Sequence, residues 1–181
     1  MAQFARPDGD LTTSGWNWAT STASGATDLY LVIDEVILNI TDNVQSSGVT
    51  APNFYECTLG DVTDPAVSTG HVVRYHIKKN TSAGKTIDTL VELRQGATVV
   101  ASWNHPNMSE VATQHNQTLT AAQADAITDY SDLRLRFTIT HIGSGQYRAL
   151  YLHWAEFEVP DAGGTPPVPV SPPGAFFPFF P

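Results

Sequence analysis

Cysteine and basic residues are both scarce in this chain of 181 residues. The single cysteine, Cys57, excludes a disulfide within the chain, and it alternates with Tyr55 and Leu59 as a small buried apolar residue does. Lys and Arg total 9 against 18 Asp and Glu, which gives a formal net charge of −9. This charge repels the phosphates of nucleic acids and anionic membrane surfaces. We therefore expect neither nucleic acid nor a membrane among the partners.

Long apolar runs and catalytic motifs are also missing. No stretch reaches the roughly 20 residues of a membrane-spanning helix, and the first ten residues lack the apolar core of a signal peptide. We therefore expect synthesis in a cytoplasm. The sequence contains no phosphate-binding glycine loop, nucleophile elbow or zinc motif, and the spacing of its histidines brings no ligand set together. We predict no catalytic residue, no metal and no cofactor, and interpret the protein as non-enzymatic.

Short β-branched segments separated by turn residues dominate what is present. Residues 71–79 alternate strictly, which predicts a strand with one wet face. Residues 87–95 and 98–104 flank Gly96 and predict a β-hairpin. A second hairpin is predicted from 133–140 and 146–159. Thr120 is placed to cap a helix of about two turns.

These patterns predict an all-β fold, an antiparallel, jelly-roll-like β-sandwich with one short helix, with a small closed barrel as the alternative. The sequence divides into an irregular N-terminal segment over 1–28, the sandwich over 29–160 and an extended C-terminal arm over 161–181. The sandwich is expected to begin with one or two strands over 29–41.

The C-terminal arm combines prolines, which favour an extended chain, with four terminal phenylalanines. Burying one such ring is worth roughly 1.5–3 kcal/mol, so we expect the rings to dock. The predicted partner-binding residues are Phe176, Phe177, Phe179 and Phe180. Docking on a neighbouring chain and folding back onto the chain's own sandwich both remain open.

Tryptophans supply the other candidate contacts. Trp16, Trp18 and Trp103 are candidate platforms for a ligand, although Trp16 and Trp18 also suit a plug over the core. Trp154 lies on a strand that is apolar on both faces, so we assign it to partner binding.

Two carboxylates, Glu156 and Glu158, share one face of the last predicted strand. Their spacing is compatible with glycoside hydrolysis. Cross-strand pairing with Arg134 and Arg136, on the strand expected beside them, explains all four residues more simply.

Four segments resemble a group of small, mostly uncharacterised structural proteins of tailed bacteriophages. They are Leu59 to Tyr75, Val91 to Trp103, Leu119 to Phe137 and Trp154 to Pro160. The resemblance implies a virion component, foremost a capsid decoration protein that forms a homo-oligomer and docks on a major capsid or tail protein. The alternative is a carbohydrate-binding, host-recognition module of a phage tail or fibre, because the strand order is also similar to jelly-roll sugar-binding domains.

Overall fold

The computed structural model describes residues 1–13, 15–18, 28–46, 53–81 and 83–163. Over this part the protein is a jelly-roll-like, antiparallel β-sandwich with one short α-helix and one 3₁₀ turn, Leu29–Val32. The elements are β1 (Gln3–Ala5), β2 (Pro7–Thr12), β3 (Trp16–Trp18), β4 (Val44–Ser46), β5 (Phe54–Leu59), β6 (Val72–Lys79), β7 (Thr86–Gln95), β8 (Thr98–His105), β9 (Thr113–Thr118), α1 (Ala121–Asp125), β10 (Leu133–Ile142) and β11 (Leu150–Val159).

Two sheets contain these strands. The five-stranded sheet has the order β2-β5-β10-β7-β8. The six-stranded sheet has the order β3-β4-β11-β6-β9, and β1 pairs with the C-terminal end of β11. β11 is thus the central strand of its sheet, with β6 along one edge and β4 and β1 sharing the other.

The core lies between the sheets, where every second residue of a strand points inward. Val73, Tyr75 and Ile77 of β6 face Leu135 and Phe137 of β10, and all five are fully buried. The rings of Tyr75 and Phe137 meet edge to face, 5.7 Å apart. The predicted alternation of 71–79 is therefore confirmed.

Cys57 occupies a fully buried position on β5. Burial raises the pKa of its thiol above the ordinary value. The residue thus fills the core as a small apolar side chain, as its spacing predicts.

Residues 29–41 do not form the predicted strands. Asp10 of β2 accepts hydrogen bonds from the backbone N–H groups of Leu29 and Tyr30, at 2.5 and 3.1 Å, and the chain turns there as a 3₁₀ helix. Val32 and Ile33 still enter the core. The apolar run is therefore real, but its first backbone N–H groups bond to a side chain and the run forms no strand.

The N-terminal segment is also more regular than predicted. β1, β2 and β3 all lie within residues 3–18 and join both sheets. Short polar strands such as Pro7–Thr12 lack the apolar alternation from which a strand is recognised, so the predicted start of the sandwich at residue 29 is too late.

The second predicted hairpin is wrong in its pairing. β10 bonds to β5 and β7, whereas β11 bonds to β6, β1 and β4 in the other sheet. The chain between 143 and 149 crosses from one sheet to the other. An inward-facing alternation looks the same whether two strands lie side by side or face each other across a core, so the sequence does not separate the two cases.

A β-bulge at His153 explains why β11 is apolar on both faces. His153 has no register partner, and the pairing with β6 shifts between Leu152 and Trp154. Leu152 and Ala155 consequently both face the core, while His153 and Trp154 both lie on the outer face.

Candidate functional site

A groove of about 520 Å³ lies over the outer face of the six-stranded sheet. Its floor comes from β11, β6 and β9, one wall from β1 and the residue after it, and the other wall from the chain after the 3₁₀ turn. Its lining consists of Phe4, Arg6, Val36, Leu38, Arg74, Gln114, Trp154, Glu156 and Glu158.

Four charged side chains form a continuous ion-pair ladder along the floor. Buried Glu156 binds Arg6 at 2.9 Å through one oxygen and Arg74 at 3.1 Å through the other. Arg74 also pairs with Glu158. The ladder contains two cations and two anions, so the floor is charge-balanced and its guanidinium groups are held in place.

The carboxylates therefore have different partners from those predicted. Arg136 binds Glu56 of β5 at 2.5 Å and Arg134 binds Asp132, directly before β10, at 2.8 Å, so both arginines pair within the region of the other sheet. Because β10 and β11 belong to different sheets, their outward side chains point in opposite directions. Both oxygens of Glu156 are engaged in ion pairs within the six-stranded sheet and its edge.

A segment over residues 33–43, here called the flap, forms the second wall of the groove. Three consecutive residues of β11 hold it. The N–H of Ala155 donates to the carbonyl of Ile33 at 3.2 Å, and the indole N–H of Trp154 donates to the carbonyl of Glu35 at 2.7 Å. His153 bonds through Nδ1 to the carbonyl of Asp42 at 2.8 Å. The bulge thus brings two adjacent side chains to the two ends of the flap.

Ionisable groups in the flap and beneath it have shifted pKa values. Burial raises the pKa of Glu35 to about 7, helped by the nearby carboxylates of Asp42 and Asp34. Burial also lowers the pKa of His153 and of His76, whose rings lie 5.3 Å apart. The space under the flap therefore favours uncharged side chains.

A second polar cluster lies at the edge of the sandwich, between β8 and β9. The hydroxyl of Tyr75 and Nε2 of His105 are 2.6 Å apart, and the rings of His105 and His115 are 4.3 Å apart. Burial, with a smaller contribution from His115, lowers the pKa of His105 to about 4. Neutral His105 can accept a hydrogen bond from the Tyr75 hydroxyl. The side-chain amide of Gln117 donates a second hydrogen bond to the Tyr75 oxygen at 3.2 Å.

The tryptophans do not form a common platform. Trp16 is only 6% exposed and packs on Tyr55, and Trp103 is partly buried against the core. Trp16 fills the core as the predicted plug, which corrects its interpretation as an open ligand platform, whereas the platform role of Trp103 stays a prediction. The side chain of Trp18 lies outside the described residues. Trp154 is 6% exposed and forms the floor of the groove beneath the flap.

The predicted partner-binding residues Phe176, Phe177, Phe179 and Phe180 lie outside the described residues, and docking through them stays a prediction. Among residues that the structure describes, no group of three or more His, Cys, Asp or Glu side chains is placed to hold a metal ion. Within the same ranges, no helix has both the length and the apolar character needed to span a membrane.

Sequence reasoning missed most of the groove. Arg74 follows from the alternation of 71–79, which puts it on the wet face. Phe4 and Arg6 carry no such signal, because their place depends on the pairing of β1 with β11, more than 150 residues away. Val36 and Leu38 fall within the strands predicted over 29–41 but belong to the flap.

Comparisons with known proteins show limited similarity. No family model matches the chain, and no curated protein matches it. Among solved structures, an arabinose-bound α-L-arabinofuranosidase, MgGH51, shares 17% identity with a TM-score of 0.44, over 84% of this chain and 25% of that protein. This chain thus spans about a quarter of that enzyme.

Two carbohydrate-binding modules match over most of their length. TmCBM61, solved with β-1,4-galactotriose, shares 8% identity with a TM-score of 0.41, and 88% of each chain is covered. The xylan-binding module CBM15 shares 8% identity with a TM-score of 0.42, over 84% of this chain and 95% of the module. Scores at this level carry no argument about what this chain binds.

Proposed function

We propose that the protein is a carbohydrate-binding module that holds a neutral saccharide in the groove over the six-stranded sheet. The observation that carries the proposal is the juxtaposition of the charge-balanced ladder with an exposed aromatic ring. Phe4 is 43% exposed beside Arg6 and Glu158. The volume of about 520 Å³ lies in the range of small-molecule sites, roughly 300–1,000 Å³.

The chemistry of the lining suits a sugar. A sugar ring presents C–H groups on its faces and hydroxyls around its rim, so it needs apolar and hydrogen-bonding surfaces side by side. Phe4, Val36 and Leu38 offer the first, while Arg74 and Gln114 offer the second. Because cations and anions balance, the floor favours a neutral polyhydroxyl ligand over a phosphate or another anion.

Rigidity supports binding without catalysis. The ion pairs fix Arg6, Arg74 and Glu156 before a ligand arrives, so less conformational entropy is lost on binding. The same pairs occupy the carboxylate that a hydrolytic mechanism requires.

A glycan array followed by calorimetry on any hit tests this function. Phe4→Ala should weaken binding at least about tenfold, because it removes the apolar face of the site. Phe54→Ala is the matched control, since Phe54 lies under Arg136 on the other sheet as Phe4 lies under Arg6, with guanidinium to ring distances of 4.5 and 5.3 Å. An array without hits, or equal affinity in Phe4→Ala, contradicts the proposal.

A structural role in a bacteriophage particle, foremost capsid decoration, is the second candidate. The observation that favours it is an apolar surface on the flap, where Val36 and Ile37 are 76% and 82% exposed. Exposed apolar patches commonly mark protein interfaces. In this role the C-terminal arm would dock on neighbouring chains. A full-length protein that stays monomeric at all concentrations would contradict this candidate.

A further inference from the structure

The flap presents apolar side chains on a held backbone. Ile37 is 82% exposed and Ile40 63% exposed, and neither lines the groove. Together with Val36, which also lines the groove, they form what is here called the flap apex. β-Branched side chains have few rotamers, so they lose little freedom when a partner covers them.

Hydrogen bonds fix the shape of the flap on both sides of the apex. Trp154 and His153 hold its ends through the carbonyls of Glu35 and Asp42. Within the flap, Asn39 bonds to Asp42 at 3.0 Å and accepts from the backbone N–H of Thr41 at 3.0 Å. Backbone carbonyls at both ends of the flap are thus bound by β11, while the apolar side chains of the apex face solvent.

The chain itself contains a segment of matching chemistry. Residues 164–181 carry no charged side chain and include the four phenylalanines within their last six residues. The apex also carries no charge. Residues 1–163 carry all of the formal net charge of −9. Two copies therefore repel each other least where an uncharged apolar segment meets an uncharged apolar surface.

Length permits a contact between copies. Phe176 follows Gly163 by thirteen positions, and at the rise of about 3.1 Å per residue of an extended proline-rich chain these span at most about 40 Å. The path back along β11 from Pro160 to Trp154, where the flap is held, is only about 20 Å at the rise of a strand. At that maximal length the phenylalanines reach about twice as far as the flap of their own copy, so the flap of a second copy also lies within reach. This reach also exceeds the electrostatic screening length of about 8 Å at physiological salt. Two acidic bodies joined through the arm can therefore stay far enough apart for their repulsion to be screened.

We propose that the flap apex is the docking site for the phenylalanine-rich end of the C-terminal arm of a second copy of this chain. This contact rests on the assembly role given above as the second candidate, and it is independent of saccharide binding in the groove.

Sedimentation velocity of the 181-residue chain tests the contact. Protein concentrations of about 1 to 100 µM cover dissociation constants typical of weak to moderate self-association. The apex variant is I37S/I40S, which leaves the groove lining intact. The arm variant replaces Phe176, Phe177, Phe179 and Phe180 with serine. The control is V67S/V111S, because Val67 and Val111 are also exposed valines, at 50% and 72%. Circular dichroism confirms that each variant is folded.

The wild type and the control should self-associate, and the apex and arm variants should each lose at least about tenfold in association constant. Mixing the two variants should restore association, because one supplies the arm and the other the apex. Loss in the arm variant alone means that the arm docks elsewhere, which overturns this contact but leaves an assembly role. A wild type that is monomeric throughout overturns both. If mixing the two variants does not restore association, the arm of one copy does not dock on the apex of another, and the proposal is overturned.

Discussion

Five buried or half-buried histidines have pKa values shifted by their surroundings. The pKa values of His71, His76, His105, His115 and His153 are all lowered, and burial is the largest cause in each case. An unfolded chain restores an ordinary histidine pKa near 6.5. The unfolded state therefore binds more protons than the folded state as the pH falls below about 6.5, and acid lowers the free energy of unfolding.

The shifted pKa of Glu35 changes stability with pH in the opposite direction. Its folded pKa of about 7 lies above the ordinary value of 4.5, so the folded state binds the extra proton. Its contribution to stability is complete below pH 4.5 and is lost as the pH rises through about 7. Within the window from pH 4.5 to 6.5, Glu35 therefore offsets part of the acid sensitivity of the histidines.

We predict that two substitutions change the pH dependence of stability in opposite directions. His105→Gln should flatten the fall of the melting temperature between pH 6.5 and 4.5, because a neutral amide can still bond Tyr75. Glu35→Gln should steepen that fall, because it removes the opposing titration. Thermal melts of both variants and the wild type across this range measure the slopes. Identical slopes in all three proteins would show that neither group titrates as its burial indicates.

At the scale of elements, α1 depends on its cap. The hydroxyl of Thr120 accepts from the backbone N–H of Gln123 at 3.3 Å, and the side chain of Gln123 accepts from the backbone N–H of Thr120 at 2.9 Å. This reciprocal capping box satisfies two donors that a helix of five residues otherwise leaves unpaired. The helix is too short to be stable without such contacts.

Thr120→Ala should lower the free energy of unfolding by about 1 kcal/mol, since it removes the hydroxyl that caps α1. Urea denaturation measures the change. Thr120→Ser is the matched control because it keeps the hydroxyl, and it should stay close to the wild type. Equal losses in the two variants would assign the effect to the missing methyl group and not to the cap.

Elements whose neighbours are close in sequence were predictable. The alternation of β6, the hairpin of β7 and β8 around Gly96 and the cap of α1 are all confirmed, because each depends on local periodicity or turn chemistry. The flap was not predictable, since its apolar residues have a strand-like pattern while β11 binds its backbone carbonyls. The groove was not predictable either, because its first wall forms only where β1 pairs with β11.

At the scale of the whole molecule, two connections between the sheets meet at one end of the sandwich. The chain between β6 and β7 contacts the chain between β10 and β11. There the backbone N–H of Lys85 donates to the backbone carbonyl of Gln146 at 2.9 Å. Gly84 lies in this contact. A Cβ added to Gly84 would overlap the carbonyl oxygen of Gln146, which is backbone and has little freedom to move away.

Gly84→Ala should therefore lower the free energy of unfolding by about 1–3 kcal/mol, the usual cost of overpacking. Gly60→Ala is the control, because a Cβ there meets its nearest neighbour at an ordinary 3.6 Å. Chemical denaturation of both variants checks the difference. A Gly84→Ala protein as stable as Gly60→Ala would mean that the two connections separate easily.

The central position of β11 has a consequence for how the chain is made. Synthesis runs from the N-terminus, so β1, β4 and β6 all exist before residues 150–159 are available. Until then, β1 lacks its described partner, and β4 and β6 each keep an unpaired edge. Unpaired edges invite pairing with other chains. The nascent protein is therefore most prone to aggregate shortly before its last strand emerges, and a premature stop ahead of residue 150 removes the middle of a sheet rather than its margin.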